Sequence, residues 1–217
     1  MKVRRDSKEE AICVRDELAI LWLLTLPWRQ RNLRECRLTT NPVEGNLFKA
    51  ERPTFVHLAL TPHIEDCVRV DSKFRFWQFY FRPVETKIGH AVRGIVPRQL
   101  VALLDKYVEC YRPALVSNFD PGTLFLTEDG DPFTQSDFGR LISDLTLRHV
   151  GRRVNPHLFR DIFAYKWLDD HPEDYLTVSK ILWHRSLNYT LRVYGRNFDE
   201  SNAAVRTEAW LDRLVLK

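Results

Sequence analysis

Apolar positions recur at helical spacing through Ile12, Leu18, Leu21 and Leu24, and Pro27 stops the run, so the chain is expected to open on an amphipathic helix. Ser7, with Glu10 completing a capping box, reads as its start. A second, arginine-rich helix is expected from Trp28 to about Arg37. Thr39 to Pro53, carrying Asn41-Pro42 and Glu44-Gly45, reads as loop and turn. The pattern then changes. Thr54 to Leu60 and Lys73 to Val84 are rich in β-branched and aromatic residues and read as strands. Phe74 to Phe81 is too uniformly apolar for a one-sided strand and is expected in the core rather than as a base-stacking platform.

Thr86-Lys87-Ile88-Gly89-His90 has turn character and Ala91 to Val96 resumes a strand, which predicts a hairpin with Lys87 near its tip. Pro97 to Tyr111, with Leu100, Leu103, Leu104 and Val108, is a helix. Glu128-Asp129-Gly130-Asp131-Pro132 is a tight turn lacking the ligand spacing and closing Glu of a calcium loop. Thr134 with Asp137 caps a helix through Leu145. The last third is helical. Pro156 opens a helix that puts His157 and Arg160 on one face, Tyr175 to Trp183 is another, and Asn202 to Leu216 forms a final amphipathic helix. The expected fold is α+β, mainly α-helical with a small antiparallel β-sheet, in a single domain over residues 1–217.

Composition adds exclusions. At 44% hydrophobic and 29% charged, with thirteen Phe, seven Tyr and six Trp, the chain has ample apolar area for a core, and disorder is not expected. Cys13, Cys36, Cys67 and Cys110 are dispersed, with no metal spacing, and read as reduced intracellular thiols. No secretory leader is expected from the charged start, and Leu18 to Leu26 is too short to span a bilayer. Asn188-Tyr189-Thr190 matches a glycosylation acceptor only by accident in an intracellular protein. The net charge of +4 says little, but its distribution says more. Leu147 to Arg160 holds four arginines and two histidines without a carboxylate, and Lys180 to Phe198 carries Lys180, His184, Arg185, Arg192 and Arg196 likewise. Such stretches suit phosphates, or at their plainest a solvated basic face.

Asn155-Pro156-His157-Leu158-Phe159-Arg160, then Leu182-Trp183-His184, then Tyr194 resemble, in order and spacing, the C-terminal boxes of the tyrosine recombinases, the phage-integrase family. Leu26-Pro27-Trp28-Arg29-Gln30-Arg31-Asn32-Leu33 resembles the family's first arginine box, with Arg29 in the arginine place, Arg31 as a rival for it and Asn32 where Glu is usual. Thr86-Lys87-Ile88-Gly89 followed by Ile95-Val96-Pro97 resembles the hairpin that carries the family lysine. The resemblance covers roughly Lys8 to Tyr194. It implies a site-specific recombinase or integrase of a mobile genetic element, with the catalytic set Arg29, Lys87, His157, Arg160, His184 and Tyr194, and with Arg31, Arg152, Arg153, Arg185 and Arg192 as further DNA contacts.

The chemistry explains why these residue types belong together. A phenol with a pKa near about 10 is a poor nucleophile at neutral pH. Arg29 and Arg160 would hold the non-bridging oxygens, His157 would exchange the tyrosine proton, His184 would donate to the phosphate and Lys87 would protonate the departing 5′ oxygen. A phosphotyrosyl ester stores the bond energy, so neither metal nor cofactor is expected. Taken singly, each residue has a plainer reading as a packing tyrosine, a core histidine or a surface cation. The resemblance further implies double-stranded DNA as partner and a homotetramer on two DNA sites. Too little sequence precedes Arg29 to hold the family's usual core-binding domain, so the expectation is a catalytic fragment, a clamp supplied by a separate core-binding domain or accessory DNA-bending protein, or a minimal recombinase. Asn202 to Leu216 is expected to dock on a neighbouring subunit or to pack internally.

Two departures stand out: Asp161 where His is common after the arginine, and Trp183 where Gly is usual before the histidine. They motivate the competing expectation of a catalytically impaired DNA-binding module of the same fold. A type IB topoisomerase-like enzyme, resealing the same strand, is the other alternative.

Overall fold

The computed structural model describes residues 5–41, 44–50 and 75–195, so the expected strand Thr54–Leu60, Cys67 and the helix Asn202–Leu216 lie outside the described residues. The chain divides into two compact units, Met1–Phe163 and Ala164–Lys217. The architecture is mainly helical with one small antiparallel sheet, as expected.

In the first unit, helix α1 spans Arg5–Thr25. Ser7 therefore lies inside the helix, not at its start where the capping box was expected. At the other end the Thr25 hydroxyl donates to the Leu21 carbonyl at 2.8 Å, and Pro27 terminates the helix as expected. The short helix α2, Gln30–Arg34, is less than the expected Trp28–Arg37. Its continuation is pulled into extended pairing, with Arg37 bridged to Thr123 and Leu38 to Leu47.

The sheet has the order β1-β2-β3, with β1 at Leu47–Ala50, β2 at Phe76–Phe81 and β3 at Val92–Ile95. Both pairings are antiparallel, with Leu47 opposite Phe79 and Phe79 opposite Gly94. Strand β1 falls inside the stretch read as loop, which is a correction. Four residues between turn formers carry too little periodicity to register, and β1 is a strand because β2 offers it a long apolar partner. Phe76, Trp77, Gln78, Phe79 and Phe81 are buried, so the aromatic run is core as expected. Gly94 is required for packing, because a Cβ there would lie 2.5 Å from the Phe79 ring.

Helix α3, Arg98–Lys106, runs into a π turn at Tyr107–Tyr111 and a last helical turn, α4, at Arg112–Leu115. Pro113 has no N–H and its ring crowds the carbonyl of the preceding turn. The Arg112 N–H accordingly reaches back five residues to Tyr107. Thr134 caps helix α5, Gln135–Val150, through the Asp137 N–H at 3.2 Å. The helix runs past the expected Leu145 until Gly151 takes the left-handed conformation that ends it. Helix α6 spans Leu158–Asp170. Against α1 pack α3, the π turn, α4 and α5.

In the second unit, α7 (Tyr175–Ile181) is capped by Asp174, which also accepts the Trp167 indole N–H at 3.1 Å, and α8 (Leu187–Tyr194) is capped by Ser186. Helix α7 stops two residues short of the expected Trp183. No helix among the described residues is long and apolar enough to cross a membrane.

A buried guanidinium clamps the loop that follows α4. Arg112 donates to both Asp120 carboxylate oxygens at 2.7 and 2.6 Å and to the Thr123 carbonyl at 3.0 and 2.7 Å. Those bonds, with a further one from the Gly122 N–H, hold the Asp120 carboxyl below its ordinary range. A depressed carboxyl stabilises the fold above its unfolded pKa of about 4, and that contribution is lost as pH falls through the lower folded value. Asp120→Asn should cost about 1–2 kcal/mol at neutral pH. In urea unfolding followed across pH, the gap between wild type and variant should close on the acid side. A gap that persists unchanged to pH 2 would contradict this account.

Candidate functional site

Pro27-Trp28-Arg29 forms the turn between α1 and α2. Trp28 is 1% exposed, with its ring edge-on to Trp22 at 5.0 Å, Phe79 at 4.8 Å and Phe81 at 4.9 Å. Arg29 is therefore set by a side chain locked into the core immediately before it. Its backbone is extended at φ −64° and ψ 142°, the N-cap position of α2, and its carbonyl accepts the Leu33 N–H at 3.1 Å. The Arg29 side chain is half-buried, with Nη1 fully enclosed. Arg31 differs. Its side chain is 64% exposed and pairs with Glu35 at 2.9 Å, the ordinary i,i+4 surface arrangement.

Arg160 is 2% exposed in the first turn of α6, and its Nη1 donates to the carbonyl of Pro27. Two arginine boxes 133 residues apart in sequence thus meet through the turn that carries Arg29. His157 lies in the turn preceding α6, since the helix begins at Leu158. The Asn155 side chain accepts the N–H groups of His157 at 2.9 Å and Leu158 at 3.0 Å, so it caps this end and leaves the His157 side chain exposed.

Lys87 lies exposed in the connection of the β2–β3 hairpin, as expected. That connection is closely held. The Glu85 carboxylate accepts the Arg82 backbone N–H at 2.7 Å and its guanidinium at 2.8 Å, closing a 3-10 turn at Pro83–Glu85. The buried Thr86 hydroxyl bonds to the His90 carbonyl at 2.7 Å. The buried Asn32 amide donates to the Glu85 carbonyl at 2.9 Å, tying α2 to the residue two before Lys87. Asn32 thus has a donor role that the Glu usual at its place has no proton to fill.

In the second unit, Trp183 has φ 51° and is buried. The His184 N–H reaches the Ser179 carbonyl at 2.9 Å and the Trp183 N–H reaches Lys180 at 3.2 Å, the paired bonds of a Schellman motif ending α7. Trp183 occupies the left-handed position where glycine is ordinarily favoured, which accounts for the Gly usual before this histidine. The His184 imidazole Nδ1 lies 2.8 Å from the Thr190 hydroxyl. Its ring stacks on Tyr194 at 6.1 Å and 10°, and meets Tyr189 edge-on at 4.8 Å. Tyr194, the last residue of α8, is 5% exposed, with Tyr165 edge-on at 5.5 Å.

The remaining candidates are surface cations. Arg152 and Arg185 are exposed, Arg153 pairs with Asp144, and Arg192 lies over the Tyr189 ring at 5.7 Å. Among the described residues, no three His, Cys, Asp or Glu side chains gather to hold a metal. Sequence reasoning did not single out Thr190, Tyr165 or the Pro27 carbonyl. For Thr190 a signal existed: it stands four residues before Tyr194 on one face of α8.

This fold is that of tyrosine-recombinase catalytic domains. The XerA recombinase matches with a TM-score of 0.54 at 20% identity, over 98% of this chain and 65% of that one. The XerH site-specific recombinase bound to difH substrate in a pre-cleavage complex matches with a TM-score of 0.60 at 15% identity, over 94% and 51%. The Tn1549 transposon integrase in complex with transposon right end DNA matches with a TM-score of 0.56 at 16% identity, over 97% and 65%. The chain thus spans between half and two thirds of the solved chains it resembles. No protein-family model and no curated protein matches it.

Two predictions follow from these local geometries. Trp183→Ala should cost about 3–5 kcal/mol through lost burial, and Trp183→Gly about 1 kcal/mol less, because glycine carries no left-handed penalty. Chemical denaturation checks the order, and an Ala variant more stable than the Gly variant would contradict the assigned backbone strain. Asn32→Ala should leave the Glu85 carbonyl without its donor and destabilise by about 1–3 kcal/mol. Amide exchange at residues 83–90 should accelerate more than in α5, and a uniform change across the first unit would argue against a specific tether.

Proposed function

We propose that the chain is a site-specific DNA recombinase or integrase that cleaves and rejoins strands through Tyr194. The Tyr194 oxygen attacks the scissile phosphorus, the bond to the 5′ oxygen breaks, and a 3′-phosphotyrosyl ester and a free 5′ hydroxyl result. Arg29 and Arg160 bind the non-bridging oxygens, where two fixed cations stabilise charge that grows in the transition state. His157 takes the phenol proton, His184 donates to the phosphate, and Lys87 protonates the departing oxygen. Attack by a second 5′ hydroxyl reverses the step without external energy. No assigned role calls on a metal or cofactor.

The observation that carries this reading is the hydrogen bond from Arg160 to the Pro27 carbonyl, which joins the two arginine boxes around one buried turn. Between the rival arginines, the half-buried Arg29, at the cap of α2 two residues after the carbonyl that Arg160 reaches, is better placed for a phosphate role than Arg31, whose side chain is 64% exposed. XerH and the Tn1549 integrase are DNA complexes, which supports duplex DNA as the partner here. Arg31, Arg152, Arg153, Arg185 and Arg192 then extend the contact along the backbone, assembly is a tetramer on two sites, and the setting is an intracellular mobile element. A core-binding domain or DNA-bending partner supplies the remaining grip.

Covalent trapping tests the proposal. The protein is incubated with a pool of nicked, randomised duplexes whose 5′ end is lost on cleavage, with Tyr194→Phe in parallel. A denaturation-resistant adduct should form with wild type and be absent from the variant, and EDTA should leave its yield unchanged. An adduct surviving in Tyr194→Phe would displace the nucleophile. Salt-sensitive binding without any adduct would move the assignment to a DNA-binding module of this fold.

A further inference from the structure

The hydroxyl of Thr190 has one hydrogen-bond partner among the described residues, Nδ1 of His184 at 2.8 Å. Thr190 is 0% exposed, so bulk solvent does not reach it. Threonine in a helix ordinarily returns its proton to a carbonyl one turn back, as Thr25 does to Leu21 at 2.8 Å. Thr190 makes no such bond among the described residues. A buried hydroxyl proton without an acceptor is costly, whereas an unused oxygen lone pair is not. The O–H therefore donates to Nδ1, and a neutral imidazole must then carry its own proton on Nε2.

Resting on the reading of His184 as a phosphate donor, we infer that Thr190 is a positioning residue that fixes the Nε2–H tautomer of His184. The same residue orients the ring. Thr190 and Tyr194 share a face of α8, and the imidazole lies against both, bonded to one and stacked on the other. A neutral histidine donates to a phosphate oxygen only through a nitrogen that bears hydrogen. Without the Thr190 hydroxyl, the tautomer that places the proton on Nδ1 competes and presents an acceptor lone pair to an anion.

The test uses the full chain and two independent readouts. In histidine-15N-labelled protein, with His184 assigned by difference against His184→Asn, the wild type should show Nδ1 without hydrogen and Nε2 protonated. Thr190→Val, which keeps the shape and removes the hydroxyl, should show a tautomer mixture, and Thr190→Ser should restore the wild-type pattern. With the randomised nicked-duplex pool, Thr190→Val should form adduct about tenfold or more slower, with Thr190→Ser recovering most of the rate. A wild-type Nδ1–H signal overturns the inference, as does an unimpaired Thr190→Val rate. Were the wild type to form no adduct at all, the strand-transfer reading would fail, and the tautomer measurement on free protein would still decide the role of Thr190.

Discussion

The placement of Trp28 governs the first unit more than any other contact. A tryptophan buried among Trp22, Phe79 and Phe81 contributes on the order of 4–6 kcal/mol of apolar burial, and its edge-on rings fix direction as well as distance. The residues on either side inherit that fixity. On one side the Pro27 carbonyl is aimed where a buried guanidinium can use it. On the other, Arg29 leaves the core at the start of α2 with its backbone already extended. A buried cation is tolerated only where its donors are used, so Arg160 is held as firmly as the turn it reaches.

The candidate residues share a second property: nearly all stand at the ends of elements. Arg29 is the cap of α2, His157 precedes α6, Arg160 is in its first turn, His184 follows the Schellman close of α7, and Tyr194 is the last residue of α8. Lys87 is in a hairpin connection. Helix and strand ends fix the backbone by capping bonds, as Asn155, Ser186 and Ser179 do here, without committing the side chain to a packed layer. At the start of α6 the N–H groups of His157 and Leu158 are taken by the Asn155 side chain and that of Arg160 by the His157 carbonyl, so this end is fixed by its own cap while the positive end of the helix dipole lies near Arg160.

What was legible in the sequence was what local chemistry decides. Thr134 with Asp137 marks a cap, Pro27 ends a helix, and Lys87 sits between two strand-forming runs; each was readable because the cause lies within a few residues of the effect. Strand β1 was not readable, because Leu47–Ala50 is extended only by virtue of β2 beside it. The π turn was missed for a different reason: Pro113 breaks the ladder, but nothing local says that the helix will absorb the break and continue. Candidate chemistry was legible as residue types in order. The ties that orient them, Asn32 to Glu85, Arg160 to Pro27 and Thr190 to His184, connect backbone or side-chain atoms that no motif records.

The departures from the recombinase pattern are informative in this light. Trp183 stands where glycine is usual, yet its backbone adopts the glycine conformation, at a strain of about 1–2 kcal/mol that burial of the indole offsets. Asn32 stands where glutamate is usual and donates to a carbonyl instead of presenting a charge. In both places the residue's work is to hold backbone, and several side chains can do that by different means. Trp183 does it by a left-handed backbone with the indole buried, and Asn32 by one donated hydrogen bond. Gripping a phosphodiester and moving its protons admits no such exchange, since apolar burial supplies neither a cation nor a titratable proton.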